Sequence, residues 1–341
     1  MINSQDEVKF QVAFLPTNSR LIQISKSLSS ELSEIGISSC ILKTSLLGEN
    51  LSGWNIENKE NYPIQEIDAL SYKEDSNFFK TTLRTIESTK KLLSEWEPNF
   101  NVLITFMDDY CEGEILTNVC NKLGVSTIYF QEGFQHRDKQ YSLSFYDFIV
   151  RLRSLIFKKY FPGKSMGLLS KKVFLWSEYG YKDKLTSLGK SEKDIKVVGY
   201  PFKPMGIKVM PHSSQLQVLI AHQPLYPRYA SKSWGKKMWV NLVSALLDMD
   251  LKVYLKFHPR KTLEEEKSEI LKNIKSTNIK KLEIVDKAIL AEDALEKVHV
   301  MVTTLSAASL NALHSGIPVI FIKTKYNQIK LLEAMSLKEE A

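Results

Sequence analysis

Four short stretches of this sequence gather residue types that can hold an anion or move a proton. Lys256-Phe257-His258-Pro259-Arg260 sets an imidazole between two cations, and Pro259 forces a turn because it cannot extend a strand ladder. A histidine presented this way can donate to a phosphate oxygen and stabilise charge developing on a leaving group, or it can simply cap the next helix. Thr303-Thr304-Leu305-Ser306-Ala307-Ala308-Ser309 runs hydroxyl residues into a series of small ones. Backbone N–H groups, hydroxyls and a helix dipole then converge on one point, which is how chains build anion sites. Read alone, Ser306 is a good helix N-cap.

The third stretch, Gln131-Glu132-Gly133-Phe134-Gln135-His136, places a carboxylate beside a glycine that permits a turn and a close ligand approach. Among Tyr129, Phe130 and Phe134, Glu132 is suited to take a proton from a hydroxyl, or alternatively to pair with His136 or Arg137. Asp108 and Asp109 form a competing carboxylate pair that also reads as helix caps. The fourth stretch is Ala221-His222-Gln223-Pro224, where a lone histidine is more commonly structural.

Missing motifs narrow the chemistry. There is no P-loop, no G-x-G-x-x-G, no G-x-S-x-G elbow and no H-E-x-x-H. No D-x-D pair follows a predicted strand, so the expectation is chemistry that needs neither a metal nor a cofactor. Cys40, Cys111 and Cys120 show no metal-ligand spacing and read as small buried hydrophobes.

The elements that must position these residues alternate between strand and helix. In the first half the pattern predicts strands over 10–15, 37–42, 102–107 and 125–130, with helices over 19–35, 81–96 and 114–123. Residues 45–75 look irregular. Strands at 173–176 and 195–198 follow, and Gly199-Tyr-Pro201-Phe-Lys-Pro204 has the turn chemistry of a linker. The second half restarts with strands at 217–221, 252–257, 282–285, 299–303 and 319–322, separated by helices at 234–247, 263–274, 291–297 and 307–314. Such alternation implies parallel strands joined by right-handed crossovers. In open sheets of this kind ligands bind beyond the carboxyl ends of the strands, and the His258 and Ser306 turns both fall on that edge of the second sheet.

With 341 residues, the chain suits two domains, 1–203 and 204–325, followed by a segment 326–341. A net charge of +7 favours an anionic partner. No zinc-finger spacing or RNA-binding aromatic strand is present, so nucleic acid is not expected. Arg151, Arg153, Lys158 and Lys159 interleave with apolar residues in 151–164, a pattern that suits an anionic membrane surface or a polyanionic acceptor. A helix lying on its own domain with extended lysines would read the same way. The first apolar run is short and is broken by Pro16, which fits neither a signal peptide nor a span, so the expected location is the cytoplasm, at the inner face of the membrane.

These motifs, in this order, make the chain resemble bacterial GT-B glycosyltransferases of surface (capsule or lipopolysaccharide) synthesis, particularly the sialyltransferases and polysialyltransferases that use CMP-activated sugars. The resemblance is carried by Glu132-Gly133, with Gln131 in place of a second carboxylate, by His258-Pro259, and by Thr304 to Ser309. It implies an α/β fold of two Rossmann-like domains facing across a cleft, with 326–341 available to return to the first. It implies Glu132 as general base and His258 as the group that stabilises the departing phosphate. Gln223, Pro259, Thr304, Ser306 and Ser309 would bind the nucleotide, and Gly133 would serve the turn. The implied partners are a nucleotide-sugar donor, a glycan acceptor that can be anionic, and contact with the membrane or a polysaccharide-assembly complex. A CDP-glycerol-type glycerophosphotransferase and a non-catalytic GT-B-like polysaccharide-binding protein are the alternatives, and a sugar-nucleotide epimerase would need more carboxylates than these motifs supply.

Overall fold

A computed structural model describes residues 9–17, 19–44, 63–67, 78–108, 111–132, 156, 167–178, 181–201, 215–223, 232–257, 264–275, 278–286, 289, 291–304, 306 and 308–322. The chain divides into two compact units, Met1–Pro201 and Phe202–Ala341. The expected junction at 203/204 and the segment 326–341 lie outside the described residues.

Unit 1 is built on a parallel sheet of β1 (Phe10–Leu15), β2 (Ser39–Lys43), β3 (Ile64–Glu66), β4 (Phe100–Thr105), β5 (Ser126–Phe130), β6 (Lys172–Leu175) and β7 (Ile195–Val197), in the order β3-β2-β1-β4-β5-β6-β7. Its helices are α1 (Ser19–Glu34), α2 (Phe78–Glu95), α3 (Cys111–Lys122) and α4 (Tyr181–Ser187). One face of the sheet packs Ala13, Leu15, Leu42 and Leu103 against Leu92 of α2 and Ile115, Leu116 and Val119 of α3. Cys40 and Cys120 are buried in the same cluster as free thiols, as expected, and burial pushes both up to about 12.

Unit 2 repeats the plan with β8 (Gln217–Ala221), β9 (Lys252–Lys256), β10 (Leu282–Ile284), β11 (Val300–Thr303) and β12 (Val319–Phe321), in the order β10-β9-β8-β11-β12. The helices are α5 (Lys232–Asp248), α6 (Glu264–Asn273), α7 (Ala291–Ala294) and α8 (Ala308–His314). Residues of alternate parity face opposite sides. Val218, Ile220, Val253 and Leu255 pack on Trp239, Val243 and Leu247 of α5. Leu219, Tyr254 and Met301 pack on Ala294, Leu295, Ala308 and Ala312. With both faces covered, these strands read as nearly continuous apolar runs, the mark of a parallel sheet buried between helices. Each fully buried Leu, Ile or Val contributes about 1.5–3 kcal/mol, so the two faces dominate the stability of the unit.

Most predicted elements appear within a few residues of their expected bounds, and the differences have local causes. Gly124 ends α3 as expected: it sits at φ 84°, and Val125 N–H closes on the Cys120 carbonyl at 2.9 Å. Strand β3 falls inside 45–75, the stretch expected to be irregular; three residues with one apolar member show no period, and pairing to β2 alone defines them. The exit of β4 also differs. The strand ends at Thr105 rather than Met107, and α3 begins at Cys111 rather than Glu114. Gly113 therefore lies inside the first turn, where a Cβ would come within 1.6 Å of the Met107 carbonyl oxygen. Only a glycine lets the helix approach the strand exit this closely.

Candidate functional site

In both sheets the first strand of the unit lies in the middle, with later strands added on either side. That arrangement creates a topological switch point, and ligands of open α/β sheets bind at the carboxyl ends of the strands flanking it. In unit 2 the switch lies between β8 and β11. The last residues of the inner strands form one row across the sheet: Lys256 is paired with Ala221, and Ala221 with Thr303.

The exit of β8 is fixed from several directions. His222 N–H donates to the Lys256 carbonyl at 2.9 Å, adding a rung beyond the strands. The Thr303 hydroxyl donates to the Ala221 carbonyl at 2.9 Å, and the Trp239 indole N–H to the Gln223 carbonyl at 3.2 Å. The His222 ring is 1% exposed and sits 4.6 Å from the Trp239 ring and 5.0 Å from the Phe257 ring. His222 is thus the structural histidine that its lone occurrence suggested, whereas Gln223 is half-buried at the edge itself.

At the exit of β9, Lys256 and Phe257 are buried, and the Lys256 ammonium donates to the Asp286 carbonyl at 3.1 Å. His258, Pro259 and Arg260 lie outside the described residues. At the exit of β11, Thr303 and Thr304 are buried. Ser306 works as a helix cap: its Oγ accepts the Ala308 N–H at 3.3 Å. Its carbonyl accepts both the Ser309 N–H at 2.9 Å and the Ser309 hydroxyl at 2.6 Å. The Ser309 hydroxyl is therefore turned back onto the cap, while the half-exposed Ser306 hydroxyl, already an acceptor, still has a proton to give.

In unit 1 the switch lies between β1 and β4, where the Thr17 hydroxyl meets the Met107 sulfur at 3.5 Å. Glu132 is half-buried at the exit of β5, one strand away from that switch. Its neighbour Gln131 is a bracket: it is buried, its Oε1 accepts the Trp176 N–H at 2.8 Å, and its own N–H donates to the Phe174 carbonyl at 3.0 Å. Gly133 lies outside the described residues, as do Arg151, Arg153, Lys158 and Lys159. Of 151–164 only Ile156 is described, helical and exposed.

Asp108 does something the sequence did not suggest. It is fully buried, and its carboxylate accepts the Gly167 N–H at 2.6 Å, the Ser170 N–H at 2.9 Å and the Ser170 hydroxyl at 2.7 Å. The Lys190 ammonium in turn bonds the Ser170 carbonyl. Burial pushes the Asp108 carboxyl up, while the bonds from Ser170 and Gly167 and the charge of Lys190 pull against that rise. Burial likewise draws Lys190 down, with Asp108 opposing. Asp108 therefore anchors residues 167–170 rather than serving as a base at the sheet edge. Nothing in the local sequence could signal this, because its partners lie some sixty positions away.

Among the described residues, no group of three or more His, Cys, Asp or Glu side chains is gathered to hold a metal ion. No described helix is long and apolar enough to cross a membrane.

No protein-family model and no curated protein sequence matches the chain. Solved structures do. A protein assigned as a UDP-N-acetylglucosamine 2-epimerase from Listeria monocytogenes matches at TM-score 0.60 and 13% identity, over 96% of this chain and 82% of its own. The UDP-GlcNAc 2-epimerase of Methanocaldococcus jannaschii, in complex with UDP-GlcNAc and UDP, matches at 0.55 and 15% identity, over 98% and 93%. The spinosyn forosaminyltransferase SpnP matches at 0.51 and 12% identity, over 96% and 84%. At these identities the likeness is one of fold: the chain has the GT-B architecture of two parallel-sheet α/β units.

Proposed function

We propose that this GT-B chain transfers a sugar from a nucleotide-activated donor, with the nucleotide held by unit 2. The observation that carries the reading is the switch point between β8 and β11, flanked by Gln223 on one side and the Thr304–Ser306 turn on the other. An edge supplied with hydroxyls and a buried lysine suits a phosphate. Structures of the same fold include a forosaminyltransferase and an epimerase bound to UDP and its sugar, which supports a nucleotide-sugar ligand.

The favoured chemistry is a metal-independent, inverting transfer of sialic acid from CMP-sialic acid to a surface glycan. Glu132 takes the proton of an acceptor hydroxyl, whose oxygen forms a bond to the anomeric carbon on the face opposite the leaving group. The bond from that carbon to the phosphate oxygen breaks, and CMP departs with the electron pair, stabilised by His258 and the Ser306 hydroxyl. Pro259 holds the His258 turn, Gly133 frees the Glu132 turn, and Thr304 and Ser309 shape the phosphate edge. The basic segment at 151–164 would bring the enzyme to an anionic acceptor or to the inner face of the membrane.

Likeness to two epimerases of higher TM-score supports a second reading, a sugar-nucleotide epimerase. One assay separates the readings. The protein is incubated with CMP-sialic acid, CDP-glycerol and UDP-GlcNAc, each with and without a glycan acceptor, and nucleotide release and sugar configuration are followed. The favoured reading expects CMP release from CMP-sialic acid, accelerated by acceptor and abolished in Glu132→Gln and His258→Ala. Release only from CDP-glycerol would assign a glycerophosphotransferase. Conversion of UDP-GlcNAc to its 2-epimer would assign the second reading, and binding without turnover would leave a polysaccharide-binding protein.

A further inference from the structure

We propose that His222 is a positioning residue for the nucleotide edge of unit 2: its ring sets the spacing between the exit of β8, which carries Gln223, and Phe257 at the exit of β9. This rests on the nucleotide-binding reading given above, and it extends that reading to a residue that cannot touch the donor. At 1% exposure His222 has no face to offer a ligand. What it has is contacts with the elements around it. One ring face is 4.6 Å from Trp239 of α5, with the planes inclined at 39°, and Phe257 lies 5.0 Å away at 52°. Phe257 is the residue immediately before His258. The imidazole is thus the spacer between the helix that covers this face and Phe257 at the exit of β9.

The backbone around it is held just as closely. The His222 N–H ties β8 to the Lys256 carbonyl, the Thr303 hydroxyl ties the preceding carbonyl to β11, and the Trp239 indole holds the carbonyl of Gln223. Trp239 therefore plays two parts, packing at a tilt against the ring of 222 and bonding the peptide of 223. Removing the ring frees Trp239 and Phe257 to move, and the displacement reaches Gln223 through the Trp239 indole bond. Small losses of placement at a binding edge are costly because the groups that bind must be held within fractions of an ångström by their supports.

The test uses the full chain and measures affinity for CMP, CDP and UDP by calorimetry, well below the melting temperature of each variant. His222→Leu keeps the bulk of the side chain and removes the ring faces. Its affinity for whichever nucleotide the natural sequence binds should fall about tenfold, the scale seen when supporting partners of a binding group are lost. His222→Phe restores a ring and should recover most of that affinity. Trp239→Phe keeps an aromatic ring against 222 and removes the indole N–H, and it should cost about threefold to tenfold, the worth of one neutral hydrogen bond. The double variant His222→Leu/Trp239→Phe should lose less than the product of the two single losses, because both act through the same peptide.

A folded His222→Leu protein that binds nucleotide as the natural sequence does overturns the proposal, since lowered melting alone is what mere packing would give. Where His222→Leu does not fold, Trp239→Phe decides by the same criterion. A natural protein that binds none of the three nucleotides rejects the functional reading itself, and the positioning role with it. The two failures are therefore told apart by the first titration.

Discussion

The two sheets share a strand order around their switch points but arm the carboxyl edges with opposite chemistry. Beside β4 the chain carries buried Asp108, followed by Glu112 and Glu114 in the first turn of α3, both buried. Carboxylates there already sit at the positive end of the helix dipole, so that edge has little attraction left for an external anion. Beside β8, β9 and β11 the corresponding positions hold Gln223, Lys256, Thr303, Thr304 and Ser306. Topology says where each unit can hold a ligand, and the side chains say which unit is suited to a phosphate.

The sharpest way to break this contrast is at the groups proposed to react. His258→Ala in unit 2 and Glu132→Gln in unit 1 should each lower turnover about 10²- to 10⁴-fold while the circular dichroism of the protein is unchanged. If only the unit 2 variant matters, the division of labour between the edges is wrong.

Next in size is the glycine that lets α3 meet β4. Gly113→Ala would put a methyl group 1.6 Å from the Met107 oxygen, and it should destabilise the protein by roughly 3 kcal/mol in urea unfolding. Nucleotide affinity, a property proposed for unit 2, should survive wherever the protein remains folded.

Asp108→Asn tests the acidic edge more gently. The variant keeps an acceptor for one donor and should cost about 1–3 kcal/mol at neutral pH. The pH dependence carries the sign. Burial lifts the folded carboxyl above its ordinary 3.8, so the folded state keeps this proton to higher pH than the unfolded chain does. Its contribution to stability is therefore fully present below 3.8 and is lost as pH rises through the lifted value, and Asp108→Asn should flatten that part of the profile. A profile of unchanged shape would remove Asp108 from the account.

The smallest effect belongs to the cap. Ser306→Ala loses the bond to the Ala308 N–H and should cost about 1 kcal/mol of stability. A further loss of nucleotide affinity, read by thermal shift, would separate phosphate binding from capping.

Parallel strands buried on both faces leave an apolar signature that is hard to miss, which is why 217–221 and 252–256 could be read directly from the sequence. The same reading found the helix start at Ser306, because its hydroxyl acts on a near neighbour. It could not find β3, which exists only through its pairing with β2. Nor could it find the anchoring by Asp108 or the ring partners of His222, since both depend on residues brought together from distant parts of the chain. Gln131 shows the limit most clearly: in the sequence it is a departure from an acidic motif, and in space it is the acceptor that fastens Trp176 to the end of β5.

The two described stems of the connection between β5 and β6 are both bolted down, Gln131 to Trp176 and Gly167 to Asp108. Because both stems are fixed by contacts outside the connection, a chimera in which another chain's insert replaces 133–166 should keep the parallel sheet of unit 1, as read by circular dichroism.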